Sequence, residues 1–576
     1  MSNQLRPLLC QHWGVLLVAL IAGCLTAFPQ LINEHRMSAA YTGVHPIVSD
    51  DELYYLARAH ETLDGHPTLG NPYLAEDKNQ PGVQFWMPDA FFASVDQALF
   101  GNVRTGALVW DFLLPFGIVL GAYAVFYLLT ADVLLALAGT IFLEPGRFFL
   151  EYNRTPNPQL FFVLLLSLLA LLLYFRTKRT RYALFAALAG GSLFYIYPFY
   201  WTYWVVLVGL GIMLTFLFLR ESGAWQKLGL IFLGACAIGV PYFISAYRAA
   251  HLPYYHESLV RIGVIETHFP SGIAAVSVAG ATLLLVLWCW WKRFVPRTPE
   301  TALIAAATLA GGIVMNQHLI TGMNFQFIIH YTMPSVVMSV FALAACAAGL
   351  LTRSRESYRV PLRVLVLCIF VLYALIHTTP FVRAIATPSA RDLAAERYGP
   401  VLAWLDAHTV TDAVVYADDA LAPYIPAYTR DNVYFSPWAY LSYLPQAEVN
   451  TRFLGAHYFE RPFTRESVTS RELDVFGAYY VGRSQHAATA NKARRLLGLP
   501  VILEPRYPEE EVNALVAREA MLQRGSWQNA LAGYRVDYLA WDTVADPGWN
   551  IGAVPGLTKV YAANGILVYA VAARKP

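Results

Sequence analysis

From residue 12 to residue 380 the chain alternates long apolar blocks with short polar connections. A bilayer core of about 30 Å takes roughly 20 apolar residues per helix. Eleven segments reach or approach that length: 12–32, 106–129, 131–146, 158–175, 182–199, 201–219, 228–247, 272–291, 301–317, 331–351 and 361–380. The third is short enough to be broken or tilted. Leu16 to Leu31 has the length of a secretory signal. No small-residue cleavage motif follows it and more apolar blocks come after, so it reads as an uncleaved first helix. Trp86 to Phe100 is too short and too acidic to span, and reads as a helix lying along the interface.

Beyond about Ala384 the pattern changes to that of a soluble α/β unit. Tyr398 to Ala407 has helical spacing, and an apolar strand, Ala413 to Ala417, runs into Asp418-Asp419. Phe476 to Val481, Val536 to Trp541, Thr558 to Ala562 and Ile566 to Val571 read as further strands, the last two joined through Ala563-Asn564-Gly565, a hairpin signal. Helices are predicted at Ala487 to Leu499 and Glu509 to Gln523, and with the strands they imply a mixed sheet with helices around it.

Of the 576 residues, 14% are charged and 57% hydrophobic, and the mean hydropathy is +0.44. Soluble proteins carry roughly 25% charge, so a purely cytosolic enzyme is excluded. The net charge of +2 shows no basic stripe of the kind nucleic acid needs. All six cysteines lie in or beside apolar blocks, which argues against a disulfide framework or a Cys-ligated metal in the soluble part. Lys and Arg orient the spans. The loops 176–181, 220–227, 292–300 and 352–363 hold thirteen of them, against four (Arg147, Arg154, Arg248 and Arg261) in the opposite loops. That bias puts the first set in the cytosol, and an odd number of spans then puts the C-terminal part outside. The first outward loop, 33–105, carries ten of the 19 acids found before residue 381.

The sharpest pattern in that loop is Ser49-Asp50-Asp51-Glu52-Leu53-Tyr54-Tyr55-Leu56-Ala57-Arg58-Ala59. Asp50 or Asp51 can cap the helix that Leu53, Leu56 and Ala57 predict, which accounts for one acid. Three in a row repel one another and raise the pKa of at least one. An acidic pair after the first span, followed by Tyr and Ala in a short amphipathic helix, resembles the GT-C superfamily of membrane glycosyltransferases, similar in topology to the aminoarabinose and mannosyl transferases. The resemblance implies a polytopic α-helical protein of about eleven transmembrane helices with a C-terminal α/β domain, divided here at 1–380 and 381–576. It also implies a polyprenyl-phosphate-linked sugar as donor and a cell-envelope acceptor (lipid, glycan or protein) at the outer face of the inner membrane. Some members need a divalent cation and others do not.

Laid on the family pattern, Asp51-Glu52 takes the place of the acidic pair and Asp51 that of the general base, with Asp50 as an extra acid. Asn71-Pro72-Tyr73 with Lys78 resembles the stretch in which a lysine of the aminoarabinose transferases contacts the lipid phosphate. The basic residue those enzymes carry three positions after the acid is Tyr54 here, which turns attention to Arg58. A sugar on a polyprenyl phosphate has a good leaving group, so the chemistry needs a carboxylate to take the acceptor proton and cations to neutralise the phosphate. One base and direct displacement imply inversion; a retaining route would need a carboxylate nucleophile.

Further outward cations are Arg147, Arg154, Arg248 and Arg261, each open to plain interfacial anchoring. His256 and Glu257, near Glu266 and His268, could meet sugar, phosphate or metal. The polar run Asn316 to His330, with Gln326 and His330, either holds a substrate or forms a solvated turn. Asp111 is an intramembrane carboxylate, either functional or structurally paired. Tyr195 to Trp204 and Trp288 to Trp291 read as interfacial aromatic belts. No P-loop or dinucleotide fingerprint occurs. The competing readings are a flippase for lipid-linked sugars and an outer-face glycan polymerase or ligase.

Overall fold

The computed structural model describes residues 2–49, 51–143 and 160–572; Asp50, Arg147, Arg154 and the Gln326 side chain lie outside the described set. In chain order the helices are α1 (Ser2–Met37), α2 (Asp51–Leu63), α3 (Met87–Phe100), α4 (Val103–Thr130), α5 (Val133–Leu143), α6 (Phe161–Thr177), α7 (Thr180–Ile196) and α8 (Pro198–Phe218). They continue as α9 (Ala224–Ile238), α10 (Val240–Ala250), α11 (Tyr255–Ile262), α12 (Ile273–Trp291), α13 (Pro299–Val314), α14 (His318–Thr321), α15 (Thr332–Leu351) and α16 (Glu356–Ile385).

Each predicted apolar block contains a helix, yet only α1, α4, α8, α12, α15 and α16 are long and apolar enough to cross a membrane alone. Helices α9 and α10 make a seventh crossing if taken together; they bend by 55° around Gly239 and Pro241, where proline removes a backbone donor. The expected count of eleven is therefore reduced among the described residues. The 11-residue α5 rises only about 16 Å at 1.5 Å per residue, short of a hydrocarbon core. The chain is a multi-pass membrane protein.

Helix α4 lies at the centre of the bundle, packed on α1, α3, α5, α6 and α15. Its Ile118, Val119, Ala122 and Phe126 meet Leu164, Leu165 and Leu168 in one core. Small residues set the helix spacing: a side chain at Gly139 would strike the Phe126 ring, and one at Gly190 the Trp204 indole. The aromatic run after α7 is not a lipid-facing belt. Tyr200, Tyr203 and Trp204 are buried, Tyr203 donates to the Ala307 carbonyl at 2.5 Å and Trp204 to Ser167 Oγ at 2.8 Å. Trp288 and Trp291 do face outward, whereas Trp290 between them is buried. Asp111 is also internal, and its Oδ2 accepts a hydrogen bond from Gln30 Nε2 at 2.7 Å, tying α4 to α1.

Two short strands, β1 (Val264–Glu266) and β2 (Met323–Phe325), pair antiparallel and join the loops that follow α11 and α14. Part of the polar run 316–330 finds partners within the protein. Buried His318 faces the Phe269 carbonyl through Nε2 at 2.8 Å, and buried Asn324 reaches Ser271 Oγ and His486.

The C-terminal part carries α17 (Ala390–Ala395), α18 (Gly399–His408), α19 (Ile425–Tyr428), α20 (Gln446–Ala456), α21 (Arg465–Thr469), α22 (Glu472–Phe476), α23 (Ala478–Leu496), α24 (Glu509–Leu522) and α25 (Trp527–Ala530). The strands are β3 (Val414–Tyr416), β4 (Asn432–Val433), β5 (Tyr538–Asp542), β6 (Leu557–Ala563) and β7 (Ile566–Val571), in the order β4-β3-β5-β7-β6. Strand β3 runs parallel to β4 and β5, and the β5–β7 and β7–β6 pairs are antiparallel. The sheet is mixed as expected, and Asn564 and Gly565 make the β6–β7 turn with positive φ of 52° and 77°.

The strand expected at 476–481 is absent. Gly477 (φ 66°, ψ −160°) separates α22 from α23, and α23 starts at Ala478, ahead of the predicted 487. Its buried residues, Ala478, Gly482, Ala487 and Ala490, are all small, and the aromatic run obscured them.

Candidate functional site

The first outward loop and the C-terminal sheet share one hydrophobic core. Leu53, Tyr54, Tyr73 and Leu74 pack with Val414, Tyr416 and Val433. Asn71 Oδ1 accepts from the Tyr73 and Leu74 amides at 3.0 Å, forming a turn that offers the Tyr73 carbonyl to Val433 N–H at 2.8 Å.

Among the three consecutive acids, Glu52 takes the structural duty. Its buried carboxylate accepts the backbone N–H groups of Val48 (2.9 Å) and Ser49 (2.8 Å), closing the chain onto the start of α2. Both amides meet the same oxygen, Oε1, so Glu52 braces the start of α2. Asp51 is the first residue of α2 and only half-buried, so its carboxylate sits at the positive end of the helix dipole.

The expected phosphate-binding cations are already engaged. Arg58 is fully buried in α2 and forks onto Asp89 of α3, with Nε to Oδ1 at 3.1 Å and Nη2 to Oδ2 at 2.6 Å, and Nη1 donates to the Tyr54 hydroxyl at 3.2 Å. Burial opposes that charge, but Asp89 beside it raises the guanidinium above its usual range. Lys78 is buried too; its ammonium donates to Glu61 Oε2 at 2.6 Å and to Asn432 Oδ1 at 2.5 Å, joining the loop to the edge strand β4. Both were predicted to meet a lipid phosphate and are here occupied, because a charge taken out of water needs a partner.

Arg261 is buried, and among the described residues no carboxylate hydrogen-bonds it. It donates to the carbonyls of Tyr440 (3.3 Å), Ser442 (2.9 Å) and Leu444 (2.8 Å), and burial pulls it down to about 10. It staples α11 to the 437–446 segment. Exposed Glu257 accepts the Gln446 N–H at 2.7 Å, and His256 beside it faces outward. His330 lies against the Tyr197 and Phe199 rings, with centroids 5.7 and 4.9 Å away, remote in the chain from the Asp51 loop. The backbone of Gln326 opens the 3-10 turn Gln326–Tyr331.

A cavity of about 450 Å³ opens where α2 meets the C-terminal sheet, lined among others by Leu53, Arg391, Tyr424, Trp438, Tyr440 and Asp474. It lies outside the carboxyl ends of β3 and β4, the edge at which parallel sheets hold ligands. Asp418 and Asp419 follow β3 there. Asp418 Oδ1 accepts the Ala420 and Leu421 amides at 2.9 and 3.0 Å, and burial pushes the carboxyl up to about 7. Asp419 Oδ2 takes His457 Nε2 at 3.1 Å and Arg471 Nε at 2.5 Å; burial works against its charge, but these partners hold it well below the usual range. Asp474 is pushed up to about 7 by burial and then by the Asp419 charge. Burial, then Asp474, then Asp51 raise the Tyr440 phenol, so both carboxylates act on one ring. This cluster was missed by sequence reasoning, although an Asp pair directly after an apolar strand was its visible sign.

Among the described residues no three His, Cys, Asp or Glu side chains converge in a way that could hold a metal ion. The architecture is a multi-pass helical bundle whose first long loop carries a helix led by an acid, with a C-terminal α/β unit packed against that loop. No family model matches the chain and no curated protein matches it. Solved structures do. The chain is similar to ArnT from Cupriavidus metallidurans bound to undecaprenyl phosphate, at 12% identity and a TM-score of 0.51, over 96% of this chain and 97% of that one. It is similar also to the archaeal oligosaccharyltransferase AglB from Archaeoglobus fulgidus in complex with an inhibitory peptide and a dolichol-phosphate, at 13% identity and a TM-score of 0.51, over 98% and 74% of the two chains. At these identities the likeness is one of fold.

Proposed function

We propose that the chain is a membrane glycosyltransferase that moves a sugar from a polyprenyl-phosphate carrier to an envelope acceptor, with Asp51 as general base. The observation that carries this reading is a half-buried carboxylate at the amino end of α2, beside the cavity that the first outer loop and the C-terminal sheet enclose, in a fold shared end to end with ArnT. The acceptor hydroxyl gives its proton to the Asp51 carboxylate, its oxygen bonds to the anomeric carbon, and the carbon–oxygen bond to the lipid phosphate breaks with the electron pair leaving on phosphate. One displacement inverts the anomeric centre.

We assign the departing phosphate to Arg383 and to Arg36, which is part-buried and also donates to the Ala386 carbonyl at 2.7 Å. They stand at one end of a 590 Å³ groove between α1 and α16 that is otherwise lined by side chains such as Val18, Ile21, Leu25, Val371 and Leu375. That groove suits an isoprenoid tail. Asn33 donates to the Ile385 carbonyl and Asp392 accepts from Ile47 N–H, so its polar end is tied to the segment leading into α2. The Lys and Arg bias of the short loops supports an active site and a C-terminal domain (381–576) on the outer side of a bacterial-type inner membrane, carried by a membrane domain at 1–380.

The test is Asp51→Asn in a transfer assay with a labelled polyprenyl-phosphate sugar. Transfer should fall by roughly 10²–10⁴-fold, the usual contribution of a positioned base, while donor binding persists. Undiminished transfer refutes the mechanism, and lipid-linked sugar crossing the bilayer without transfer would favour a flippase.

A further inference from the structure

The cavity beside α2 combines three features. One wall is Leu53, two residues from Asp51; another is aromatic, with Trp438 and Tyr440 set 6.4 Å apart at an interplanar angle of 23°, and Tyr424 beyond. Its polar edge is Asp474 and Arg391. Among the described residues no group hydrogen-bonds the Asp474 carboxyl, even though it lies beside the closed Asp419–His457–Arg471 cluster. At about 450 Å³ the space falls within the roughly 300–1,000 Å³ of small-molecule sites. A flat apolar wall opposite carboxylate and guanidinium groups matches one kind of ligand. A pyranose ring has a face of C–H bonds that lies against aromatic rings, and a rim of hydroxyls that pair with charged acceptors and donors.

We propose that this cavity is the acceptor subsite and that the acceptor is a saccharide, its ring against Trp438 and its hydroxyls on Asp474 and Arg391. The inference rests on the transferase reading above. Leu53 lines the cavity two residues from Asp51, so a sugar seated against Trp438 presents a hydroxyl toward the proposed base. A peptide or lipid acceptor needs neither the ring-sized aromatic wall nor the carboxylate at its edge.

The experiment titrates purified full-length protein with methyl pyranosides, neutral and amino-substituted, and reads binding by ligand-observed NMR. The parent should bind the pyranosides. Trp438→Ala and Asp474→Asn should each bind roughly tenfold more weakly or worse, with Trp438→Phe recovering most of the loss and showing that the fold is intact. Saccharide binding that is absent, or unchanged in both cavity variants, overturns the proposal; so does Trp438-dependent binding of a hydroxyl-bearing peptide in its place. Failure of the transferase reading shows separately, as undiminished transfer by Asp51→Asn, and leaves the binding result standing.

Discussion

The Arg58–Asp89 pair separates a structural from a functional reading of the first outer loop. Both side chains are at most 1% exposed and joined by two hydrogen bonds, and they hold α2 against α3. Asp89→Asn leaves the guanidinium buried without a counter-charge, a change that costs about 3–5 kcal/mol. At about 2 °C per kcal/mol for a large chain, melting should drop by roughly 5–10 °C. The double variant Arg58→Met/Asp89→Leu removes both charges and keeps the volume, and should recover most of the loss. The assay is a heat challenge of detergent-solubilised protein followed by size-exclusion chromatography, with transfer measured on the same samples. If Asp89→Asn melts within a degree or two of the parent, or the double variant is no better than the single, the pair is not the clamp described. If the double variant folds but has lost donor binding, Arg58 meets the phosphate after all.

Two further expectations concern the C-terminal domain. Asp418 titrates near 7 when folded, because burial raises it and its Oδ2 has no hydrogen-bond partner, so the folded state binds this proton more tightly than the unfolded chain. Its contribution turns unfavourable as pH climbs from about 4 to 7, reaching about 4 kcal/mol at pH 8. Asp418→Asn keeps the amide-accepting oxygen and removes that charge. It should melt higher than the parent at pH 8 and similarly at pH 5, and equal pH dependence of the two would contradict the assignment. Gly477→Ala forces a φ of 66° with ψ −160° on a residue with a side chain, and its Cβ would overlap the Arg261 carbonyl. The backbone strain alone costs about 1–3 kcal/mol, so a variant melting like the parent would show that the α22–α23 junction is relaxed.

Periodicity located the long apolar helices and four of the five strands of the C-terminal sheet, because burial in lipid and alternation in a sheet are local in sequence; the short helices of the soluble part, such as α20 and α22, were not foreseen. It misassigned 476–481, where a helix exposes aromatic side chains while its buried face is made of Ala and Gly. The short strand β4 escaped notice because only its neighbour β3 gives it a partner. The aromatic run 195–204 was read as a membrane belt since composition does not distinguish a ring facing lipid from one facing another helix; Ser167 and Ala307, far away in the chain, are what place Trp204 and Tyr203 inside.

The candidate site divides along the same line. Asp51 was legible as a chemical residue because consecutive carboxylates at a helix start are costly and local. Whether Arg58 or Lys78 is available to a ligand depends on Asp89, Glu61 and Asn432, which lie 31, 17 and 354 positions away. A charge is spent or spare according to what folds against it, and that follows from tertiary contact rather than spacing. The cavity is the extreme case: Leu53 and Asp474 become neighbours only when the sheet closes over the first loop, burying a shared core that neither segment could form alone.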